Sequence, residues 1–445
     1  MNKKVKAFFI NTLILTASSI IFRVLAIFFN SYITQKIGKE MLGIFNLVMS
    51  VYLFGITLGT FGINFAVTRL VSEELAVGNR EGVRKIAKRC IQISFLCGLL
   101  ASSLFLLFSD LIIEKCLHHK VTKNVIYAIC LSLPFISMSS AISGYFIAVR
   151  RVYKSTIAQF FEQIIKILIT AFFLELFLPN GLEYACFSLI LGDFISELFS
   201  FFCNYILYRH DSRIYKTTYT TNYPCAYFNQ KIFKISVPVA ITSFIRSGLS
   251  TLKQIIIPLS FEKNKIACAN ALSIYGEING MAMPIVVFPN VIFSSISSLF
   301  IPEFASYHTQ NRQKTIQKIT SIILIISTSI CVLTSLFLFL LADNLGQWIY
   351  KDSNISNYIK ILSPLAIFIL LDCVIDNILK GLDAQNTVMV INILDTFADV
   401  LLIYTLVPAL GIQGYIISIY FSEIFNLTLS MIKLIKIVYF PNSKT

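Results

Sequence analysis

Four basic residues, Arg23, Lys166, Arg246 and Lys253, lie deep inside runs of apolar side chains. At the centre of a bilayer such a charge costs roughly 2.5–3.5 kcal/mol on the insertion scale, so it faces a wet cavity or a partner rather than lipid. Arg23 and Arg246 are each followed seven residues later by a polar residue on the same helix face, Asn30 and Lys253 respectively. A guanidinium stays charged and grips phosphate or carboxylate through two parallel hydrogen bonds, so two facing arginines suit a diphosphate-like anion. Arg23, Asn30, Arg246 and Lys253 are therefore the expected substrate contacts, with the arginines on the diphosphate and the other two on its head group. The alternative is that each arginine is neutralised within its own half of the chain.

Acidic residues recur in the same runs at a spacing of four, which places each pair on one helix face. Glu162 with Lys166 has the order that favours an internal ion pair. Asp193 with Glu197, Asp372 with Asp376, and Asp395 with Asp399 join like charges, which pushes one carboxyl of each pair towards protonation. Such a site could bind a coupling cation, Na+ or H+, and the expected participants are Asp193, Glu197 and Glu277. No other cofactor is expected. Ten cysteines are scattered without a C-x-x-C pair, and two of the four histidines, His118 and His119, sit side by side in a loop. Neither a metal centre nor a Ser-His-Asp arrangement can be assembled from them, so the expectation is a transporter and not an enzyme.

These residues sit in a chain of 445 in which 56% are hydrophobic and only 13% are charged. The mean hydropathy of +0.76 and the near-continuous apolar run from Phe8 to Phe440 exclude a soluble fold. Runs bounded by charge, Gly and Pro predict twelve crossings near 8–33, 42–66, 91–113, 125–149, 155–178, 183–208, 232–258, 268–300, 319–342, 355–380, 387–408 and 412–438. Of the 37 Lys and Arg residues, 24 fall on the face that carries the termini and 9 on the other, so both termini are expected in the cytoplasm. The net charge of +14 then reflects orientation and contact with anionic membrane lipids, with no call for nucleic acid. The basic stretch from Arg69 to Arg89 has apolar residues at helical spacing and reads as an amphipathic helix along the inner surface. In the eighth crossing, Gly276, Gly280, Pro284 and Pro289 interrupt YGEINGMAMPIVVFPN, a broken helix that either lines a cavity or packs closely on a neighbour.

The two halves echo each other. Arg23 falls on Arg246 and Asn30 on Lys253 at an offset of 223, whereas Ala148 falls on Gly381 and Glu162 on Asp395 at 233. NREGVRKI at Asn79 echoes NRQKTIQKI at Asn311, and SELF at Ser196 echoes SEIF at Ser422. Six crossings per half give a parallel repeat about an axis along the membrane normal. The expected organisation is an N-terminal six-helix lobe over 1–208, a cytoplasmic linker over 209–231 and a C-terminal six-helix lobe over 232–445.

Four stretches carry a resemblance over nearly the whole chain: FRVLAIFFNSYITQKIG, AVTRLVSEELAVGNREGVRKI, GYFIAVRRVYKSTIAQFFEQIIKI and YGEINGMAMPIVVFPNVIFSSISSLFIPEFA. The chain resembles the multidrug/oligosaccharidyl-lipid/polysaccharide flippase superfamily, most closely the stage V sporulation protein B-like polysaccharide biosynthesis proteins. The resemblance implies an all-α, MATE-like membrane fold of about twelve helices in two pseudo-symmetric bundles, working by alternating access in a bacterial cytoplasmic membrane. It implies a polyprenyl-diphosphate-linked saccharide as cargo, with wall-synthesis enzymes as further partners. Arg23 matches the first-helix arginine of related peptidoglycan-precursor flippases, flanked here by Phe22 and Ala26; a second arginine found six residues on in some relatives is Phe29. Rival readings are a cation-coupled multidrug exporter, which wants acidic residues where these arginines stand, and a non-transporting scaffold for wall or spore assembly.

Overall fold

A computed structural model describes residues 3–116, 122–215, 225–264, 266, 268–310 and 312–440. The histidine pair His118–His119 and the middle of the expected linker, with Pro224, lie outside them. Among the described residues all regular structure is helical. We label the helices α1 (3–37), α2 (39–60), α3 (Ile63–Val77), α4 (Arg80–Leu107), α5 (Lys123–Ala148), α6 (Tyr153–Phe177), α7 (Leu182–Ser212) and α8 (Cys225–Lys263) in the first part of the chain. There follow α9 (Asn270–Val286), α10 (Asn290–Thr309), α11 (Gln313–Leu345), α12 (Ser353–Leu362), α13 (Leu365–Gly381), α14 (Gln385–Leu410) and α15 (Ile412–Tyr439).

Among the described residues, eight helical stretches are long and apolar enough to cross a membrane, and two bent pairs, α9 with α10 and α12 with α13, bring the number to ten. The 61-residue stretch Ala17–Val77 would extend roughly 90 Å if straight, about three times the hydrocarbon thickness. It breaks at Gly38, whose φ of 81° suits glycine, and so supplies two crossings. With α6, 25 residues long, the total is twelve, as the apolar runs predicted.

Two corrections concern segment ends. The basic stretch 69–89 is not one surface helix: Gly78, at φ 77°, ends α3, and the Asn79 side chain accepts from the Gly82 N–H to start α4. The expected linker is also shorter, because α7 runs on to Ser212 and α8 begins at Cys225.

The chain forms two compact units, and their borders fall away from residues 208 and 232. The first holds Leu47–Thr251 with the stretch ending at Ser18; the second holds Ser19–Asn46 and Leu252–Thr445. Most of α1 thus packs in the second unit and most of α8 in the first. The core of the first unit joins α3, α4 and α5 to the start of α8 through Val67, Ile86, Ile142, Tyr145 and Ile232, all at most 1% exposed, and α7 joins it through Phe201 and Tyr208, each 7% exposed. In the second unit α13 is buried along much of its length, from Leu365 to Leu379, against α11 and α15.

The internal repeat is visible in the backbone. Arg150 (φ 58°) and Asp383 (φ 61°), offset by 233, each take the left-handed conformation in the turn after α5 and after α13. That offset is the one that aligns Ala148 with Gly381 and Glu162 with Asp395.

Candidate functional site

The four intramembrane cations divide by residue type. Both lysines have a carboxylate partner at 2.5 Å: Lys166 of α6 meets Asp193 of α7, and Lys253 of α8 meets Asp399 of α14. The arginines have none. Arg23 is half-buried, and its Nε is shielded from solvent with no hydrogen-bond acceptor. Arg246 is exposed on α8 and takes part in no ion pair or hydrogen bond among the described residues. Neutralisation of each arginine by an acidic neighbour is therefore excluded among those residues. Arg23 belongs to the second unit and Arg246 to the first.

The remaining expected contacts take partners within the second unit. Asn30, seven residues or about two turns beyond Arg23 on α1, donates to the Gly280 carbonyl at 3.4 Å. Lys253, expected beside a head group, is instead spent on Asp399, whose side chain is 1% exposed.

Each lysine sits in a cluster with an excess of carboxylates. In the first unit Asp193, Glu162 and Glu197 surround Lys166. The helical spacing favoured Glu162 as the partner, yet Asp193 of the neighbouring helix makes the contact, because packing α6 against α7 brings it directly opposite. In the second unit Asp399, Asp395 and Glu423 lie around Lys253, and Ser422 donates to Asp395 at 2.8 Å. Lys166 and Asp399 are themselves equivalent in the repeat, at offset 233. The two halves thus keep a polar core at the same place with the sign of one member reversed. Of the like-charged pairs, Asp372 accepts from Asn426 at 3.4 Å and Asp376 lies 3.8 Å from Lys380.

Glu277, an expected ion-coupling residue, also proves to be lysine-paired. It sits in the π-helical turn Gly276–Ala282 of α9 and meets Lys39 Nζ at 2.5 Å, while Lys39 also contacts Asp352 beside α12. Burial opposes ionisation of Asp352, but the hydrogen bonds from Lys39 and from the Asn354 N–H outweigh it and hold the carboxyl below its ordinary value. Lys39 gave no signal in the sequence, since its partners are 238 and more than 300 residues away. The glycines explain the proximity. A Cβ on Gly43 would lie 2.2 Å from the Leu272 carbonyl oxygen, one on Gly276 2.4 Å from that of Lys39, and one on Gly280 2.6 Å from Asn46. Residues 39–46 and α9 therefore cross backbone against backbone. The break expected in the eighth crossing is present too: α9 and α10 meet at a 48° bend around Pro289.

A second hub, Asp211 at the end of α7, accepts from Tyr145 at 3.0 Å and from Arg151 and Lys154. Burial opposes the charge of Asp211, but these three donors prevail and lower its pKa.

Comparison with known proteins sets this arrangement in context. The chain is 25% identical over 431 residues to stage V sporulation protein B of Bacillus subtilis (strain 168), covering 93% of this chain and 81% of that protein. It is 26% identical over 198 residues to the lipid II flippase MurJ of the same organism, covering 41% of this chain and 36% of that protein. An inward-facing multidrug resistance MATE family transporter of the MOP superfamily shares the fold, with a TM-score of 0.70 at 13% identity over 95% of this chain and 96% of the other. The MatE family matches residues 264–405 and the polysaccharide biosynthesis protein family residues 8–308, a stretch that takes in both arginines, Lys39 and the broken α9–α10 crossing. This chain belongs to the polysaccharide biosynthesis protein family.

Proposed function

We propose that this protein is a membrane flippase that moves a lipid-linked saccharide, carried on a polyprenyl diphosphate, from the inner to the outer leaflet of a bacterial cytoplasmic membrane by alternating access. The observation that carries this reading is the division among intramembrane cations: lysines are neutralised by carboxylates and arginines are not. For the half-buried Arg23, an uncompensated guanidinium with its Nε shielded from water is costly unless it meets an anion, and a diphosphate supplies that anion with matching bidentate geometry. Arg23 and Arg246 are each a contact for an anionic group of the cargo, and Asn30 is a contact for its head group. The sequence relatives, one of them a lipid II flippase, support a lipid-linked cargo. A cationic drug would be repelled by the same two side chains.

On this reading both termini face the cytoplasm, as the bias of Lys and Arg supports. Coupling to Na+ or H+ falls on the carboxylates left over once the lysines are satisfied, Glu197 first among those expected, since Asp193 and Glu277 already face lysines. Wall-synthesis enzymes would receive the delivered saccharide.

The test is transport of a fluorescent polyprenyl-diphosphate saccharide in vesicles reconstituted with purified protein. Arg23→Ala and Arg246→Ala should each abolish transport at unchanged expression and folding, while Lys166→Met should act through stability. A fully active Arg23→Ala/Arg246→Ala double variant sinks the assignment.

A further inference from the structure

The basic end of the first unit contains a cavity of about 610 Å³ between α4, α5 and α7. Its polar end carries Arg84, Lys88 and Arg209, and its other end is apolar, with Phe95 and Leu96, 38% and 58% exposed, and the half-buried Met138. The order follows from the helices. Lys88 lies one turn beyond Arg84 on α4, and Leu96 a further eight residues on, roughly 12 Å along the axis at 1.5 Å per residue. On α7, Arg209 stands one turn from Tyr205, with the buried Tyr208 between them.

Three features mark this cavity as built for a ligand. The three cations of the polar end have no anionic partner among the described residues: the neighbouring acids are engaged elsewhere, Glu81 by Lys85 and Asp211 by Arg151 and Lys154. The fourth basic residue, Arg89, is held aside by Asn229 at 2.8 Å and Gln92 at 3.2 Å, which leaves the opening to the other three. The wall is rigid, since Tyr208 packs edge-on to Tyr145 at 5.1 Å, and Tyr145 is anchored through its hydroxyl to Asp211.

We propose that an anionic phospholipid of the leaflet facing this end occupies the cavity, with its phosphate among Arg84, Lys88 and Arg209 and an acyl chain along Phe95, Leu96 and Met138. The ligand has the same sequence of chemistry as the cavity: a negative head at the membrane surface, then hydrocarbon towards the bilayer interior. A free phosphate satisfies only the polar end, and a zwitterionic lipid brings its own cation against three others. The site uses neither Arg23 nor Arg246, so it stands or falls separately from the transport assignment.

The experiment uses the full purified chain in detergent, with added phosphatidylglycerol, phosphatidylcholine of the same chain length, or inorganic phosphate, read by native mass spectrometry and by the thermal midpoint. Phosphatidylglycerol is expected to give a discrete one-lipid adduct and to raise the midpoint, and the other two to do neither. At roughly fivefold per cation, R84Q/K88Q/R209Q should weaken the binding about 100-fold, whereas K314Q/K318Q/K436Q, exposed lysines of the second unit, should leave it unchanged. Leu96→Trp fills the apolar end with every cation in place and should also remove the adduct, which keeps the proposal testable if the triple variant folds poorly. Equal binding of phosphatidylcholine, an equal midpoint shift with phosphate, or an adduct that survives both the triple variant and Leu96→Trp overturns it.

Discussion

Replacing Lys253 by Met separates two roles that one residue could have. As a head-group contact it would be needed for transport and dispensable for folding. The structure pairs it with Asp399 at 2.5 Å, the lysine side chain 26% exposed and the carboxylate 1%. Removing one member of a buried pair leaves an unsatisfied charge, at a cost of about 3–5 kcal/mol, whereas replacing both by apolar groups of similar volume is close to neutral. Lys253→Met strands Asp399 beside Asp395 and Glu423, which adds repulsion and places the expected cost at the upper end of that range. Asp399→Leu strands the lysine, which is less buried than its partner at 26% exposed, so about 3 kcal/mol is expected. The double variant should lose no more than about 2 kcal/mol, giving a coupling energy above about 4 kcal/mol in a double-mutant cycle. Denaturant unfolding in mixed micelles, followed by helicity, measures all four proteins. The reasoning fails if Lys253→Met unfolds like the wild type while transport is lost, or if the coupling is below about 0.5 kcal/mol.

Other outcomes follow from the same geometry. Gly43→Ala sets a methyl 2.2 Å from the Leu272 carbonyl oxygen, backbone that cannot step aside, so residues 39–46 must move off α9; a loss of about 2–4 kcal/mol in the same unfolding assay is expected, and a neutral result would refute the close crossing. Gly78→Ala meets no neighbouring atom and should cost only the strain of its positive φ, about 1 kcal/mol. Asp211 has a lowered pKa in the fold, so its stabilisation is complete above the unfolded value near 4 and is lost as pH falls through and below that value; Asp211→Asn should flatten the acid limb of a stability–pH profile between about pH 5 and pH 2. Asp352→Asn removes one of the two carboxylates on Lys39 and should speed hydrogen exchange of the α12 N-terminus, where Asp352 also caps the Asn354 N–H at 2.8 Å; unchanged exchange would argue against that anchor.

The parts of the molecule legible in the amino-acid sequence are those governed by one-dimensional chemistry. Hydrocarbon admits no unpaired backbone, so apolar runs bounded by charge, Gly and Pro pointed to a helical membrane fold of twelve crossings, and the glycines and prolines of YGEINGMAMPIVVFPN to a break in the eighth. The cost of a charge in that medium singled out Arg23, Lys166, Arg246 and Lys253 before any contact was known. Segment ends were less legible: α7 and α8 extend past their apolar stretches into polar residues, because a helix continues while its backbone bonds are satisfied, whatever the side chains.

Which charge meets which was decided only by packing. Local spacing favoured Glu162 for Lys166, but the α6–α7 contact supplied Asp193. Lys253 looked like the counterpart of Asn30 and turned out to neutralise Asp399, 146 positions away. The trio of Lys39, Glu277 and Asp352 depended on glycines that let residues 39–46 touch α9, and Asp211 gathers donors from about 60 positions upstream. Coulomb energy depends on distance in space and on burial, neither of which sequence separation reports. Residue type and hydropathy therefore determined where charge is expensive; only the tertiary structure decided that, among the described residues, the two lysines are paired with carboxylates and the two arginines are not.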